Sequence, residues 1–263
     1  MDIKEIVSRA KTFLLDLDGT VYLEGELIGD MKNTLRRIRE SGREIVYLTN
    51  NSSKTKEDYA ARLENIGILE AEDKIYTSGD ATAAYLKKHF PGRRVYVMGT
   101  EKLKESFAAA GVALSETDPE VTVLAYDTES TYEKLCKTAL FLRRGTAYIA
   151  THPDVNCPAK ACDVPDAGSF IRLFEASVGR VPEVIVGKPF RYMAEGVSEL
   201  TGRTGRELLM AGDRLYTDIR FGAENGFSSL LVLSGETTAE MYEKSETRAD
   251  AVLASLNDVV KYL

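Results

Sequence analysis

The sequence predicts an α/β protein with parallel sheets and a second, smaller α/β domain inserted into the first. Short β-branched or aliphatic runs alternate with segments whose apolar residues recur at helical spacing, and repeated strand–helix–strand units build parallel sheets. The middle third, roughly Ser78 to Pro182, repeats this alternation but contains no strand-end acid that is followed by turn residues. We therefore expect a core domain formed by residues 1–78 and 182–263, and an inserted domain formed by residues 79–181.

Each expected strand is a short apolar run bounded by polar or turn residues. In chain order, the expected strands are Thr12–Leu15, Glu44–Leu48, Lys74–Thr77, Arg94–Met98, Val121–Tyr126, Ala147–Ala150, Val184–Val186, Leu208–Ala211, Leu230–Leu233 and Ala251–Leu253. Helical spacing is clear between them, as in the set Leu135, Ala139 and Leu142.

Composition excludes several classes of protein. The chain has 263 residues, 44% of them hydrophobic, which is enough for one large core or two moderate ones and excludes disorder as the main state. Its formal charge of −7, without a basic block, argues against nucleic acid as a partner. No apolar run approaches the roughly 18 residues that span a bilayer, so we expect a cytoplasmic protein without a membrane partner.

The first candidate site is Asp16-Leu17-Asp18-Gly19-Thr20, directly after the first strand. Alternate residues of an extended chain share a face, so both carboxylates are expected to point the same way. Two like charges about 4 Å apart cost roughly 4 kcal/mol at an effective dielectric constant near 20, which calls for a proton or a cation between them. An ordinary strand end followed by an Asp-Gly turn is the alternative for the dipeptide alone.

Two further segments carry donors for an anion. Thr49, Asn50 and Asn51 follow the second strand and precede a helix, where hydroxyl, amide and helix-start N–H groups form an anion cradle. A simple helix cap remains the alternative. Lys188 lies between Gly187 and Pro189 after another strand, so its ammonium is delivered from a constrained backbone; by itself it could equally be a surface lysine.

The last segment, Gly212 to Asp218, follows the strand Leu208–Ala211 and places Asp213 and Asp218 on either side of a turn. Capping of the next helix is the alternative for Asp218. Because ligands collect at the carboxyl ends of parallel strands, the four segments are expected to meet. Their four carboxylates and one ammonium carry a net charge of −3, which favours a bound Mg²⁺ held by hard oxygen ligands.

In this order the four segments resemble the motifs of the haloacid dehalogenase (HAD) superfamily, namely DxDGT, a Thr or Ser, a Lys, and an acid loop GDxxxTD. The resemblance spans nearly the whole chain and implies a Rossmann-like core. Because 139 residues separate Thr49 from Lys188, the inserted domain resembles a C2-type cap, and the motifs look like those of subclass IIA, the NagD-like and 4-nitrophenylphosphatase-like phosphatases.

The resemblance implies a phosphatase that acts on small phosphomonoesters through an aspartyl-phosphate. It implies Asp16 as nucleophile, Asp18 as general acid and base, and Thr49 and Lys188 as phosphate ligands assisted by Asn50 and Asn51. The implied Mg²⁺ ligands are Asp16, Asp18, Asp213 and Asp218, with Asp18 contributing its backbone carbonyl.

The cap is expected to contact the leaving group through Thr151-His152-Pro153-Asp154, where His152 replaces the usual Asn of the subclass and Asp154 is retained. The expected partner is a small phosphorylated metabolite, in a monomer or a homodimer. A domain that is phosphorylated on Asp and senses or binds without turnover is the alternative function.

Overall fold

The computed structural model describes residues 2–23, 25–158 and 162–263. In chain order the helices and strands are α1 (Ile3–Arg9), β1 (Thr12–Leu15), β2 (Tyr22–Leu23), β3 (Glu26–Leu27), α2 (Met31–Glu40), β4 (Glu44–Thr49), α3 (Lys56–Asn65), β5 (Lys74–Thr77), α4 (Ser78–His89), β6 (Val95–Met98), α5 (Glu101–Ala109), β7 (Val121–Leu124), α6 (Tyr132–Arg143), β8 (Ala147–Ala150), β9 (Asn156–Cys157), β10 (Val164–Pro165), α7 (Ala167–Val178), β11 (Val184–Ile185), α8 (Arg191–Thr201), β12 (Leu208–Gly212), α9 (Arg220–Glu224), β13 (Ser228–Val232), α10 (Ala239–Lys244) and β14 (Ala251–Leu253).

The chain forms two compact units. The first unit comprises the described residues of Met1–Thr49, Tyr59–Tyr76 and Lys188–Leu263, and the second those of Asn50–Asp58 and Thr77–Gly187. Every expected strand overlaps a strand of the structure, within two residues at either end. The α/β class with parallel sheets is therefore confirmed. The two-residue strands β2, β3, β9 and β10 were not expected, because they are too short to show a hydrophobic period.

The first unit is built on a six-stranded sheet in the order β14-β13-β12-β1-β4-β5. Strand β1 pairs in parallel with both β12 and β4, so that Leu15 lies opposite Ala211 on one side and Tyr47 on the other. All residues of β1, β12 and β13 are buried, as expected for interior strands covered on both faces. Consequently the chain segments that follow β1, β4 and β12 leave the sheet at the same edge.

The core of the first unit packs helices against this sheet. In α2, Met31, Leu35 and Ile38 are completely buried and recur at three- and four-residue spacing. They join Phe13 and Leu15 of β1 in one cluster of buried residues. This packing fixes β1, and with it the position of the segment that begins at Asp16.

The second unit contains a four-stranded parallel sheet in the order β11-β8-β7-β6 and the small antiparallel pair β9–β10. Its core joins Tyr96 and Met98 to Phe141 of α6 and Phe174 of α7. Helix α4 begins with a capping box in which Thr77 and Asp80 each accept a hydrogen bond from the other's backbone N–H. Within the described ranges of both units, no helix has the length and apolar character that crossing a membrane requires.

Candidate active site

The site in the first unit forms where β1, β4 and β12 end. Asp16 follows β1 and donates its backbone N–H to the carbonyl oxygen of Ala211 in β12, with an N–O distance of 3.0 Å. Asp213 follows β12, and Thr49 closes β4. Three segments that are far apart in sequence thus meet because their strands are neighbours in one parallel sheet.

Lys188 is the cation of this site. Its side chain is only 2% exposed, and its Nζ donates hydrogen bonds to Asp16 Oδ1 at 2.6 Å and Asp218 Oδ1 at 2.7 Å. A third bond, at 3.3 Å, goes to the carbonyl oxygen of Leu48 in β4. The ammonium therefore ties together the ends of β1 and β4 and the acid loop after β12. The surface-lysine alternative does not hold.

Asp213 and Asp218 are positioned by a tight loop. One turn of π-helix spans Leu215–Ile219, a geometry often found at functional sites, and it returns Asp218 toward the end of β12. Asp218 Oδ2 accepts the backbone N–H of Arg214 at 3.1 Å. A Cβ at Gly212 would overlap the Asp218 side chain, so this close return requires glycine. Asp218 therefore contributes its side chain to the site and also accepts the backbone N–H at the start of the π-helical turn.

Burial and like charges act on the pKa values of the carboxyl groups. Burial raises the pKa of Asp16 well above its usual range; Lys188 opposes the rise, and Asp218 and Asp213 add to it. Burial also raises the pKa of Asp213 to about 7, with a further contribution from the Asp218 charge. For Lys188, burial lowers the pKa, but the Asp16 and Asp218 carboxylates outweigh burial and raise it overall. Without a second cation, the site therefore disfavours full ionisation of its carboxyl groups.

Asp18 lies outside the cluster of carboxylates. Asp16, Asp213 and Asp218 offer oxygens within 4.8 Å of one another, whereas the Asp18 side chain is exposed and is not part of this group. The same-face rule applies to a regular strand, but β1 ends at Leu15, and the chain turns through Gly19 with φ of 84°. The two carboxylates of the first motif therefore occupy different environments, one half-buried and one in solvent.

The residues present fit a divalent cation with oxygen ligands. The three clustered carboxylates outnumber the one ammonium by two charges. Among the described residues, Asp213 Oδ1 is buried without a hydrogen-bond partner, while its Oδ2 accepts the backbone N–H of Glu236 at 2.6 Å. An unpartnered buried carboxylate oxygen is costly unless a cation or a ligand group meets it. Hard oxygen donors of this kind suit Mg²⁺.

The remaining predicted phosphate ligands divide between the units. Thr49 is buried in the first unit and adjoins Leu48, whose carbonyl oxygen contacts Lys188. Asn50 and Asn51 belong to the second unit, where the Asn50 amide donates to both oxygens of Asp154, at 3.1 and 3.3 Å. The Asn51 side-chain oxygen accepts from the backbone N–H and the hydroxyl of Ser53. Phosphate binding by these three residues stays a prediction.

His152 and Asp154 lie in a buried network of the second unit. His152 is completely buried; its Nε2 lies 2.8 Å from Asp166 Oδ1 and its Nδ1 2.9 Å from the Thr151 hydroxyl. His152, Asp154 and Asp166 also offer ligand atoms within 4.8 Å of one another. Here, however, each carboxylate already accepts hydrogen bonds from protein groups, so the arrangement is that of a structural network. Contact of His152 and Asp154 with a leaving group stays a prediction.

Replacement of Asp166 by alanine is expected to destabilise the second unit by roughly 2–4 kcal/mol. The change leaves a buried imidazole nitrogen without its partner, which costs about 1–3 kcal/mol, and removes the N-cap of α7, which costs about 1 kcal/mol more. Urea unfolding measures the effect. Asp163→Ala, an exposed aspartate of the same segment, is the control and should change stability by less than about 0.5 kcal/mol. Equal effects of the two variants would contradict the network.

Sequence reasoning missed the groups that position the carboxylates. Glu236 acts through its backbone N–H, and Leu48 through its carbonyl, so neither residue type signals its function. Asp166 carried a usable signal, since an aspartate before Ala167-Gly168 is typical of a helix start. The segment at Glu236 follows β13, so the strand-end rule that located Asp16 and Asp213 also applied there.

The sheet is parallel, and its carboxyl edge carries a buried lysine and an acidic centre that fits a cation. These features define a phosphoryl-transfer class of α/β protein. Comparison with known proteins agrees. The family model for haloacid dehalogenase-like hydrolases matches residues 13–113, and a HAD-hydrolase-like model matches residues 185–259. The chain belongs to the HAD-like hydrolase family and is a phosphoric monoester hydrolase of the NagD-like, 4-nitrophenylphosphatase-like type.

The individual relatives are similar over almost their full length. An acid sugar phosphatase of Staphylococcus saprophyticus is 32% identical, covering 96% of this chain and 98% of the relative. The 5'-nucleotidase YutF of Bacillus subtilis is 30% identical with the same coverage.

Solved structures of related phosphatases share the fold. The crystal structure of a 4-nitrophenylphosphatase from Thermotoga maritima is 42% identical, with a TM-score of 0.94 over 97% of this chain and 98% of that one. A glycerol phosphate phosphatase of Mycobacterium tuberculosis, in complex with magnesium, is 27% identical, with a TM-score of 0.89 over 97% of this chain and 78% of that one.

Proposed function

We propose that this phosphatase is Mg²⁺-dependent and hydrolyses small phosphomonoesters, such as sugar phosphates or similar metabolites, through an aspartyl-phosphate on Asp16. The observation that carries the proposal is the buried Lys188 ammonium, which bridges Asp16 and Asp218 beside the unpartnered Asp213 oxygen. The relatives named for acid sugar phosphatase and 5'-nucleotidase activity support a small phosphorylated substrate.

In the first step, an Asp16 carboxylate oxygen attacks phosphorus while the ester P–O bond breaks, and Asp18 donates its proton to the leaving alkoxide. In the second step, Asp18 takes a proton from water, the water oxygen attacks phosphorus, and the bond to Asp16 breaks. This releases inorganic phosphate and restores the carboxylate. The exposed position of Asp18 supports this role, because an acid that changes protonation twice per turnover must reach water and the leaving group.

The other residues hold charge in place. Lys188 fixes the Asp16 carboxylate by a 2.6 Å hydrogen bond and presents positive charge where phosphoryl oxygens bind. Thr49, at the end of β4, adds a donor to those oxygens. The carboxylates of Asp16, Asp213 and Asp218 and the backbone carbonyl of Asp18 would hold the cation. When bound, Mg²⁺ neutralises the phosphoryl oxygens and the surplus carboxylate charge.

We also propose that residues 1–78 and 182–263 form the catalytic domain and residues 79–181 the inserted cap domain. The two compact units support this division, because the second unit runs from Thr77 to Gly187 and so begins and ends a few residues outside the proposed cap. They also differ in that residues 50–58 group with the second unit. Contacts of Asn50 and Ser52 with residues of the 151–154 segment account for that grouping.

Removal of the metal tests the proposal. With 4-nitrophenyl phosphate as substrate, we expect multiple turnovers, loss of more than 95% of the rate in excess EDTA, and recovery when Mg²⁺ is added back. The reason is that the Lys188 ammonium alone does not balance three clustered carboxylates, which repel a phosphate dianion unless a second cation is bound. Circular dichroism of the EDTA-treated protein is the control for folding.

Undiminished turnover in EDTA would contradict the metal role. Transfer of one phosphoryl group per protein molecule from a phosphoryl donor, without further turnover, would instead support the phospho-aspartate sensing function.

A further inference from the structure

The segment after β13 contacts both acidic loops of the first unit. It comprises Ser234, Gly235, Glu236 and Thr237 and is called the 234–237 loop below. The Ser234 hydroxyl donates to the carbonyl oxygen of Gly19 at 2.8 Å, in the turn that follows Asp18. The Glu236 backbone N–H donates to Asp213 Oδ2 at 2.6 Å. One short loop therefore holds the turn of the first motif and a carboxylate of the last.

The contact is too close for any side chain at two positions. A Cβ at Gly235 would overlap the Asp213 carboxylate and lie 2.7 Å from Gly19 Cα. A Cβ at Gly19 would likewise overlap the Asp213 carboxylate, and Gly19 has a left-handed φ of 84°. The Asp213 carboxylate is thus packed between two glycine backbones, which leaves it little freedom to rotate.

An ion pair also holds the 234–237 loop in place. The Arg214 guanidinium is only 13% exposed, and its Nε lies 2.8 Å from Glu236 Oε2. Arg214 follows Asp213 directly, so this ion pair joins the loop after β12 to the loop after β13, and those two strands are paired in parallel. The Arg214 side chain is mostly buried, whereas the Glu236 side chain is 39% exposed, so water screens this pair only in part and it holds the two loops together more than a fully exposed pair would.

We propose that the 234–237 loop is a positioning element for the metal site, fastened by the Arg214–Glu236 pair, and that it aims Asp213 Oδ1 at the cation. The Glu236 N–H binds Oδ2 of Asp213, so Oδ1 is left as the buried oxygen of this carboxylate, for which the described residues supply no hydrogen-bond partner. This inference rests on the proposed Mg²⁺ site. Glu236 and Arg214 act through Asp213 and are positioning residues, not metal ligands.

The test is Mg²⁺ affinity measured by isothermal titration calorimetry on the full chain. Glu236→Ala keeps the backbone N–H that binds Asp213 but removes the ion pair with Arg214 that holds the loop. We expect Mg²⁺ binding about tenfold weaker than for the parent protein, at the low end of the 10–100-fold range for groups that orient a metal ligand. At saturating Mg²⁺, kcat and the substrate KM should stay within about twofold of the parent values. Glu236→Gln, which keeps a hydrogen-bond acceptor, should recover part of the affinity.

Glu240→Ala is the matched control, since Glu240 pairs with Lys244 on the surface and its side chain is 76% exposed. Its Mg²⁺ affinity should equal that of the parent. Gly235→Ala should weaken Mg²⁺ binding more than Glu236→Ala does. If Gly235→Ala fails to fold, the Mg²⁺ affinities of the two Glu236 variants still test the proposal.

A second readout needs no metal. Hydrogen exchange in EDTA should show the Glu236 amide protected in the parent protein, and its exchange should accelerate in Asp213→Ala, which removes the acceptor. Equal Mg²⁺ affinity in Glu236→Ala and the parent would overturn the inference while leaving the proposed function intact. Absence of Mg²⁺ binding by the parent itself would overturn both, so the two failures are distinguishable.

Discussion

Replacement of Asp16 by asparagine is expected to lower kcat for 4-nitrophenyl phosphate by roughly 10⁴-fold or more, the scale seen when a covalent nucleophile is removed. An amide oxygen is a far weaker nucleophile than a carboxylate oxygen, and no aspartyl-phosphate can form. Steady-state kinetics at saturating Mg²⁺ measures the loss. Mass spectrometry after rapid quenching of the parent protein should find the phosphoryl group on Asp16.

The fold should survive this change. The asparagine side chain can still accept a hydrogen bond from Lys188, which also keeps Asp218 and the Leu48 carbonyl as partners. Asp118→Asn, at a carboxylate that is 80% exposed, is the control and should leave activity unchanged. Retention of more than a hundredth of the parent rate in Asp16→Asn would remove the nucleophile assignment.

Replacement of Lys188 by methionine is expected to destabilise the metal-free protein by about 3–5 kcal/mol, because it leaves buried carboxylates without their cation. Methionine keeps much of the side-chain volume, so the loss measures charge more than packing. Urea unfolding in EDTA gives the free energy of unfolding, and excess Mg²⁺ should restore part of it. Activity should fall at least a hundredfold as well, since positive charge at the phosphoryl oxygens is lost.

Lys244→Met is the control for this variant. Its ammonium is 74% exposed and pairs with Glu240 one helical turn away, an arrangement worth less than about 0.5 kcal/mol. Suppose that Lys188→Met loses no more stability than the control. The carboxylates of Asp16 and Asp218 would then not depend on the Lys188 ammonium, and the argument that it compensates their charge would be wrong.

The strands could be predicted because their apolar runs are short, bounded and aliphatic. Thr12–Leu15, Lys74–Thr77, Ala147–Ala150 and Ala251–Leu253 were predicted with the bounds that the structure has. Between the strands, the helical spacing of Leu135, Ala139 and Leu142 placed α6. The two-residue hairpin strands escaped prediction, since a pattern with a period of two residues needs more than two residues to be seen.

The convergence of the site could also be predicted in part. Parallel strands end at one edge, which is why Asp16, Asp213 and the end of β4 were expected together. Asp18 is exposed and lies outside the group formed by Asp16, Asp213 and Asp218; the same-face rule assumes an extended strand, whereas β1 ends at Leu15. For Lys188, the sequence left a surface position open, and only the packing of the first unit showed the ammonium to be buried.

The sequence alone determined the order and chemistry of the motifs, the parallel α/β class and the surplus of carboxylates over cations. This was possible because residue type and the spacing of apolar residues are local properties. Tertiary structure decided which groups orient those residues: the Glu236 amide on Asp213, the Leu48 carbonyl on Lys188, and Asp166 on His152. Two of these three groups belong to the backbone, which every residue carries. Their function arises only from register and loop geometry, which depend on contacts between distant parts of the chain.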